Sequence, residues 1–290
     1  MEARVYMCFE QTNATSDFSI ICFLHALTAL TIIDIDDADL LTEDYTTKMS
    51  LKCKKDAGPV AVTIETERCA KGALSSKVGT KFAYSGLAFD KFQAAADGGH
   101  VLETSYKAAP GVTLTFKGNK GADLGVDYTT GTLFATGVLD VKDMSKFSST
   151  ACLGLASGVT IGGDATYALS GKTGITAMNL GASYATGPLF ASVTTSSKFA
   201  QFNVGLLYKV NSDLTLASQT THTSAKICDC LGVGAAYKAP IGLLKAKFAS
   251  GGVLSASLIK DVAPKVTVTL SGSIVAPDMS DFKYGVGITM

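Results

Sequence analysis

From residue 48 onward, apolar and polar residues alternate along the chain in short runs, which is the pattern of β-strands with one apolar face. In the run 265–274, Val268 and Leu270 fall on one face of an extended strand, whereas Thr267 and Thr269 fall on the other. The same alternation occurs in residues 111–117, 201–209 and 213–221. The pattern predicts an all-β chain from residue 48 onward.

Short turn-forming sequences separate these runs. Asp97-Gly98-Gly99, Thr186-Gly187-Pro188 and Ser250-Gly251-Gly252 supply residues that adopt positive or fixed φ where a chain reverses. Because the connections are short, consecutive strands should lie side by side in antiparallel order, as a meander. We predict nineteen strands, at residues 48–54, 60–67, 75–84, 86–94, 100–107, 111–118, 121–129, 132–140, 147–156, 159–168, 175–184, 187–195, 199–209, 213–221, 227–238, 241–249, 252–259, 264–274 and 282–290.

The low charge of the chain bears on what the apolar faces contact. Charged residues make up 17% of the sequence, whereas about 25% is usual for a soluble protein. Beyond residue 36, no apolar run approaches the ~20 residues of a membrane helix. A soluble all-β protein and a membrane barrel both fit these facts, but barrels of ~16 or more strands leave a channel rather than a packed core. We therefore predict a transmembrane antiparallel β-barrel of about nineteen strands over residues 48–290, preceded by an N-terminal extension, 1–47.

Other classes of function lack support in the sequence. The formal net charge is zero, which argues against a nucleic-acid partner. The seven cysteines are irregularly spaced, and the three histidines are scattered, so neither a disulfide framework nor a metal site is indicated. No phosphate-binding loop is present. We predict neither an enzyme nor a cofactor.

The N-terminal extension contains an apolar stretch, residues 18–33, that is short for a membrane span. It lacks the basic flank of a signal peptide, and the residues before it are too acidic for a mitochondrial presequence. Three interpretations stay open: a membrane-associated or pore-plugging helix, a lineage-specific extension, and an artefact of gene prediction.

The last eight residues combine a strand pattern with a second signal. Lys283, Gly285, Ile288 and Met290 occupy the positions of the polar, glycine and apolar residues in a pattern that resembles the C-terminal sorting signal of mitochondrial outer-membrane barrels. We therefore expect the sorting machinery of that membrane to recognise this segment.

Several segments together resemble the voltage-dependent anion channels, the porins of the mitochondrial outer membrane. The resemblance covers roughly residues 37–290, and its most specific parts are 84–92, 111–116, 208–217, 251–270 and 283–290. It implies a nineteen-strand barrel that acts as a voltage-gated, weakly anion-selective pore. The permeants would be nucleotides, phosphate and small anions, and a homo-oligomer in the lipid bilayer is a further expectation.

Two departures from that family bear on function. Its short Gly-Leu-Lys element, which is linked to nucleotide interaction, is here Gly111-Val112-Thr113, so the lysine is missing and Lys117 is the nearest cation. Its N-terminal amphipathic helix, which is tied to gating, would fall just before residue 48. In this chain that stretch is rich in Asp and Glu.

Lysines on the polar face are the candidate functional residues. If the apolar face meets lipid, these lysines line the pore and raise the local concentration of anions. Lys245 and Lys247 are the strongest pair, because no acidic residue lies on their strand. Alternatively the lysines are merely solvated, since any polar residue is tolerated on a water-facing wall. Acidic residues that face the same way argue against a preference for anions, namely Glu65, Asp123, Asp127, Asp164 and Asp213. The predicted pore-lining residues are Lys52, Lys54, Lys117, Lys209, Lys245, Lys247 and Lys265.

Two other functions stay open at this point. One is the related protein-import barrel of the same membrane, which passes extended polypeptides. The other is a non-channel all-β structural or adhesive protein.

Overall fold

The computed structural model describes residues 40–68, 72, 74–196, 198–223, 230–276 and 282–290. The apolar stretch 18–33, with its three interpretations, lies outside the described residues. Among the described residues, no helix is long and apolar enough to cross a lipid bilayer.

The described chain forms nineteen strands in sequence order, so the predicted number and positions are confirmed. A 3-10 turn, Ala156–Gly158, connects the ninth strand to the tenth. The strands are β1 Met49–Ala57, β2 Val60–Arg68, β3 Leu74–Tyr84, β4 Leu87–Ala95, β5 His100–Ala109, β6 Val112–Gly118, β7 Ala122–Thr129, β8 Leu133–Asp140, β9 Lys146–Gly154, β10 Val159–Ala168, β11 Gly174–Thr186, β12 Leu189–Ser196, β13 Gln201–Lys209, β14 Leu214–Thr223, β15 Cys230–Ala239, β16 Gly242–Ala249, β17 Val253–Ala263, β18 Val266–Val275 and β19 Lys283–Thr289.

The strands form one closed sheet. Each strand pairs with the next in antiparallel order, as predicted, and β1 also pairs with β19. This closing pair is parallel, with Met49 opposite Val286 and Lys52 opposite Thr289. Parallel closure follows from the odd number of strands, because in a meander the first and last of nineteen run in the same direction. Closure into a barrel pairs strands that would otherwise be sheet edges.

The two faces of the sheet differ in chemistry, as the alternation predicts. The directly opposed residues Leu258, Leu270 and Val286 share one face, and the adjacent Ser257 and Ser271 share the other. Leu270 is 46% exposed, whereas Ser271 is 8% exposed. The face with the exposed Leu, Val, Ile and Phe side chains is the outer wall, which meets lipid. The face with the Ser, Thr and Lys side chains is the inner wall.

Tyrosines line one mouth of the outer wall from β3 to β15. Six exposed tyrosines stand at or near the ends of odd-numbered strands, which all finish at the same mouth. Such residues are typical of membrane–water interfaces, where the ring contacts lipid and the hydroxyl contacts water. This tyrosine girdle places the mouth at the level of the lipid headgroups. Its members are Tyr84, Tyr106, Tyr128, Tyr184, Tyr208 and Tyr237.

Candidate functional site: the inner wall

Six of the seven predicted pore-lining lysines lie at inner-wall positions. The register places them on the same face as Ser257 and Ser271. Lys265 instead lies in the tight turn between β17 and β18, with a φ of 68°, at the rim of the barrel. The six inner-wall lysines are Lys52, Lys54, Lys117, Lys209, Lys245 and Lys247.

A first row of opposed charges crosses β1 to β3. Lys52 lies directly opposite Glu65, and Glu65 lies directly opposite Lys77. The ammonium group of Lys52 forms an ion pair with the carboxylate of Glu65. The charge of Lys52 is therefore largely compensated within the wall.

A second row crosses β4 to β8 at directly opposed positions. It reads Lys91, Glu103, Lys117, Asp123 and Asp140. Lys117 Nζ lies 3.1 Å from Glu103 Oε1, so this lysine is also compensated. Asp140 accepts hydrogen bonds from the Ser145 hydroxyl and from the backbone N–H groups of the loop that follows β8.

Residues 40–46, here called the strap, run along the inner wall before β1 begins. Lys245 Nζ lies 2.6 Å from Asp44 Oδ2, and the Lys245 side chain is only 7% exposed. Lys247 Nζ donates a hydrogen bond to the Leu41 carbonyl at 2.9 Å and lies 4.3 Å from the centre of the Tyr45 ring. The predicted lysine pair thus binds the strap through an ion pair, a hydrogen bond and a cation–π contact.

The far end of the strap is apolar. Leu40 is 1% exposed and packs with Leu207 and Ala217, two apolar residues on the inner face of β13 and β14. Tyr45 folds back to donate a hydrogen bond from its hydroxyl to the Leu40 carbonyl at 2.9 Å. Burial of Leu40 contributes roughly 1.5–3 kcal/mol relative to leaving such a side chain in water.

The near end of the strap crosses the last two strands. Ser271 of β18 donates a hydrogen bond to the Thr46 carbonyl. Gly285 of β19 lies directly beneath the same backbone, and a Cβ at position 285 would lie 2.8 Å from the Lys48 carbonyl oxygen. Gly285 therefore has a packing role here, in addition to the sorting role predicted from the sequence.

The sequence did not indicate the strap's anchors on the wall. Asp44 stood out only as one of several acidic residues before β1, and Gly234 gave no signal. A Cβ at Gly234 would lie 2.6 Å from Leu41 Cδ2 and 2.7 Å from Leu40 Cδ2, so this glycine makes room for the strap. The apolar Leu207 was visible beside Leu206 as an interruption of the alternation on β13, which is the kind of signal that marks an inner-wall contact.

The pKa of Tyr45 depends on whether the strap is docked against the inner wall. Burial and the adjacent Asp44 carboxylate raise the pKa of Tyr45 from 10.0 to about 12. Released Tyr45 should ionise near its ordinary pKa, so docking is favoured below pH ~10 and weakens as pH rises toward 12. We expect Gly234→Val to displace the strap and to return the pKa of Tyr45 toward 10.0. Ultraviolet difference titration against Tyr45→Phe measures this.

The matched control for that variant is Gly232→Val, on the same strand and face. A Cβ at Gly232 has its nearest neighbour, the Gln219 carbonyl oxygen, at 3.9 Å, so the strap and the pKa of Tyr45 should be unaffected. An unchanged titration in Gly234→Val would contradict the docking contact.

Thr113 stands where the family's Gly-Leu-Lys element has its lysine, and this position lies on the inner wall. Thr113 of β6 lies directly opposite Lys107 of β5 on one side and Asp127 of β7 on the other. A neutral residue therefore separates a cation from a carboxylate at this height of the wall.

The arrangement supports the passage of solutes through the barrel. Among the described residues, no group of three or more His, Cys, Asp or Glu side chains could hold a metal ion. A barrel of nineteen strands encloses a water-filled channel, and its outer wall is apolar with an aromatic girdle. The fold and the inner wall define a pore-forming channel of the lipid bilayer that admits small solutes.

Comparison with known families agrees with this class. The chain matches the eukaryotic porin family over residues 34–286, which is most of its length. The protein belongs to the eukaryotic porins. Membership of a family of channels supports the prediction that it is not an enzyme. No curated protein sequence matches this chain significantly.

Solved structures of Rh. blastica porin are also similar to the chain. A variant of Rh. blastica porin with three substitutions has a TM-score of 0.45 and 11% sequence identity, covering 83% of this chain and 95% of its own. A variant of the same porin with five substitutions has a TM-score of 0.46 and 11% identity, covering 83% of this chain and 96% of its own. At this distance, the family assignment depends on the match to the eukaryotic porins alone.

Proposed function

We propose that this protein is a voltage-gated, weakly anion-selective diffusion pore for small metabolites in the mitochondrial outer membrane. Nucleotides, phosphate and other small anions are the proposed permeants. The observation that carries the proposal is a closed nineteen-strand barrel with a parallel closing pair, together with a match to the eukaryotic porins over residues 34–286.

The distribution of charge supports a weak preference rather than a strong one. Of the lysines on the inner wall, Lys52 and Lys117 form ion pairs with wall carboxylates, and Lys245 pairs with Asp44 of the strap. Paired charges attract permeant ions much less than isolated ones, because the fields of the two partners cancel over a short distance. The remaining lysines then give the pore a modest attraction for anions.

The strap supports a voltage response. It lies within the barrel and is joined to the wall by an ion pair at 2.6 Å and by the apolar contacts of Leu40. Moving one elementary charge through 100 mV changes the free energy by about 2.3 kcal/mol, which is comparable to the strength of such contacts. A displaced strap would change both the bore and the charge of the lumen.

The C-terminal segment supports the proposed location. Lys283, Gly285 and Ile288 fit a mitochondrial outer-membrane sorting pattern, and they belong to β19, the strand that closes the barrel. We propose that the sorting machinery of that membrane binds this segment before closure. A homo-oligomer belongs to the same proposal.

Purified protein in a planar bilayer tests the proposal. In a salt gradient, we expect a zero-current potential of the sign given by a small excess of anion permeability, and stepwise closure at high voltage of either sign. A cation-selective pore without voltage response would contradict the proposed selectivity and gating. Fractionation of cells that express the tagged chain tests the location, and recovery in a membrane other than the mitochondrial outer membrane would contradict it.

A further inference from the structure

The two rows of opposed charges and the strap compensate several of the inner-wall lysines. Lys52, Lys81, Lys117 and Lys245 each have a carboxylate within ion-pair distance. Their fields fall off quickly, because each is cancelled by a partner. Ions in the lumen therefore respond chiefly to the charges that have no such partner.

Two carboxylates on β7 belong to this uncompensated set. Asp127 has the neutral Thr113 and Thr136 directly opposite on its two neighbouring strands. Asp123 lies between Asp140 and Lys117, and Lys117 is engaged by Glu103. Within the described residues, neither Asp123 nor Asp127 forms an ion pair.

Two lysines, on β4 and β5, also lack a partner and carry the opposite charge. Lys107 of β5 is exposed and faces Thr113. Lys91 of β4 is also exposed, and the Glu103 opposite it is held by Lys117. Neither lysine forms an ion pair with another described residue.

We propose that these residues contribute to ion selectivity by forming two tracks along the inner wall, one on each side of β6: a basic track of Lys91 and Lys107 and an acidic track of Asp123 and Asp127. Anions pass preferentially along the first and cations along the second. The proposal rests on the proposed function of the protein as a diffusion pore. It assigns selectivity to residues other than the paired lysines Lys52, Lys117 and Lys245.

The distance between the two tracks lets each attract ions independently of the other at physiological salt. Lys107 and Asp127 are two strands apart, with Thr113 between them, which is about 10 Å at the usual strand spacing. The screening length is about 8 Å at ~0.15 M salt and about 30 Å at ~0.01 M. The tracks therefore attract their own ions at ~0.15 M and partly cancel each other at ~0.01 M.

Paired substitutions in the full-length channel test the proposal through the ratio of anion to cation permeability in a salt gradient. Removal of the acidic track, with Asp123→Asn and Asp127→Asn together, should raise the ratio about two-fold at ~0.15 M salt, as expected for a charge ~8 Å from a passing ion. Removal of the basic track, with Lys91→Gln and Lys107→Gln, should lower it by a similar factor.

A matched control removes one acidic and one basic side chain that compensate each other. The double variant Glu103→Gln and Lys117→Gln removes one ion pair and should leave the ratio unchanged. Thr113→Lys places a cation directly opposite Asp127, so it should raise the ratio, by less than removal of both aspartates. A control variant that shifts the ratio as far as the track variants would overturn the proposal.

Multivalent probes distinguish two tracks from one average charge. Spermidine, a trivalent amine, should reduce the current less in the variant that lacks the acidic track, while tripolyphosphate keeps its effect there. The variant that lacks the basic track should show the reverse. Equal changes with both probes in both variants would overturn the proposal. A wild-type protein that fails to conduct would instead contradict the proposed function.

Discussion

Deletion of residues 283–290 is expected to abolish channel formation. The deletion removes the whole of β19, which pairs with β18 on one side and with β1 on the other. β18 and β1 would then expose unpaired backbone N–H and C=O groups in lipid, each of which costs several kcal/mol. We expect the truncated protein to aggregate when refolded in detergent and to give no current in planar bilayers.

A point variant separates closure from sorting. Ile288→Ser keeps every backbone pair of β19 but removes an apolar residue of the sorting pattern. We expect this variant to refold in detergent and conduct normally, but to integrate poorly into isolated mitochondria. Normal channels from the truncated protein would contradict the closing role of β19, and normal mitochondrial integration of Ile288→Ser would contradict the sorting signal.

Replacement of Leu270 by Arg is expected to have the second largest effect. Leu270 is 46% exposed on the outer wall and lies in β18, where Leu258 and Val286 are its opposed neighbours. A charged residue facing lipid near the bilayer midplane costs about 2–4 kcal/mol. Unfolding by urea from lipid vesicles, monitored by tyrosine fluorescence, should show a loss of stability of that size.

The adjacent residue provides the control. Thr269 lies on the inner wall, opposite Gly287 and Ile259, so Thr269→Arg places its charge in water. Its stability should stay within ~1 kcal/mol of the wild type, because surface substitutions usually have small effects. Equal destabilisation by the two substitutions would contradict the assignment of the faces.

The sequence predicts the fold well because one physical pattern repeats from β1 to β19. Each strand alternates between lipid and water, as Val268, Thr269 and Leu270 do, and each connection is short enough to force neighbours together. The tyrosine girdle also has a signal in the sequence, because Tyr84, Tyr106 and Tyr128 recur at equal intervals, one per hairpin. We did not predict the girdle from that signal.

The contacts of the strap could not be predicted in the same way. Asp44 and Lys245 are 201 positions apart, and alternation along a strand contains no information about which distant segment covers it. The same limit explains why the sequence favoured Lys245 and Lys247 as the strongest pair of anion-attracting lysines, because their own strand contains no acidic residue and the distant Asp44 gave no signal. The rows of opposed charges are intermediate in how far the sequence predicts them. Lys117 and Glu103 can be recognised as neighbours once the register of the β5–β6 hairpin is known.

Solute release from sealed vesicles tests most directly whether the barrel is a water-filled pore. Purified protein is reconstituted into lipid vesicles that contain a small neutral sugar and a large dextran, and its folded state is checked by protection of the strands from protease. We expect rapid release of the sugar, at a rate proportional to the amount of protein, with full retention of the dextran. Vesicles that hold folded, protease-protected barrels and still retain the sugar would contradict it.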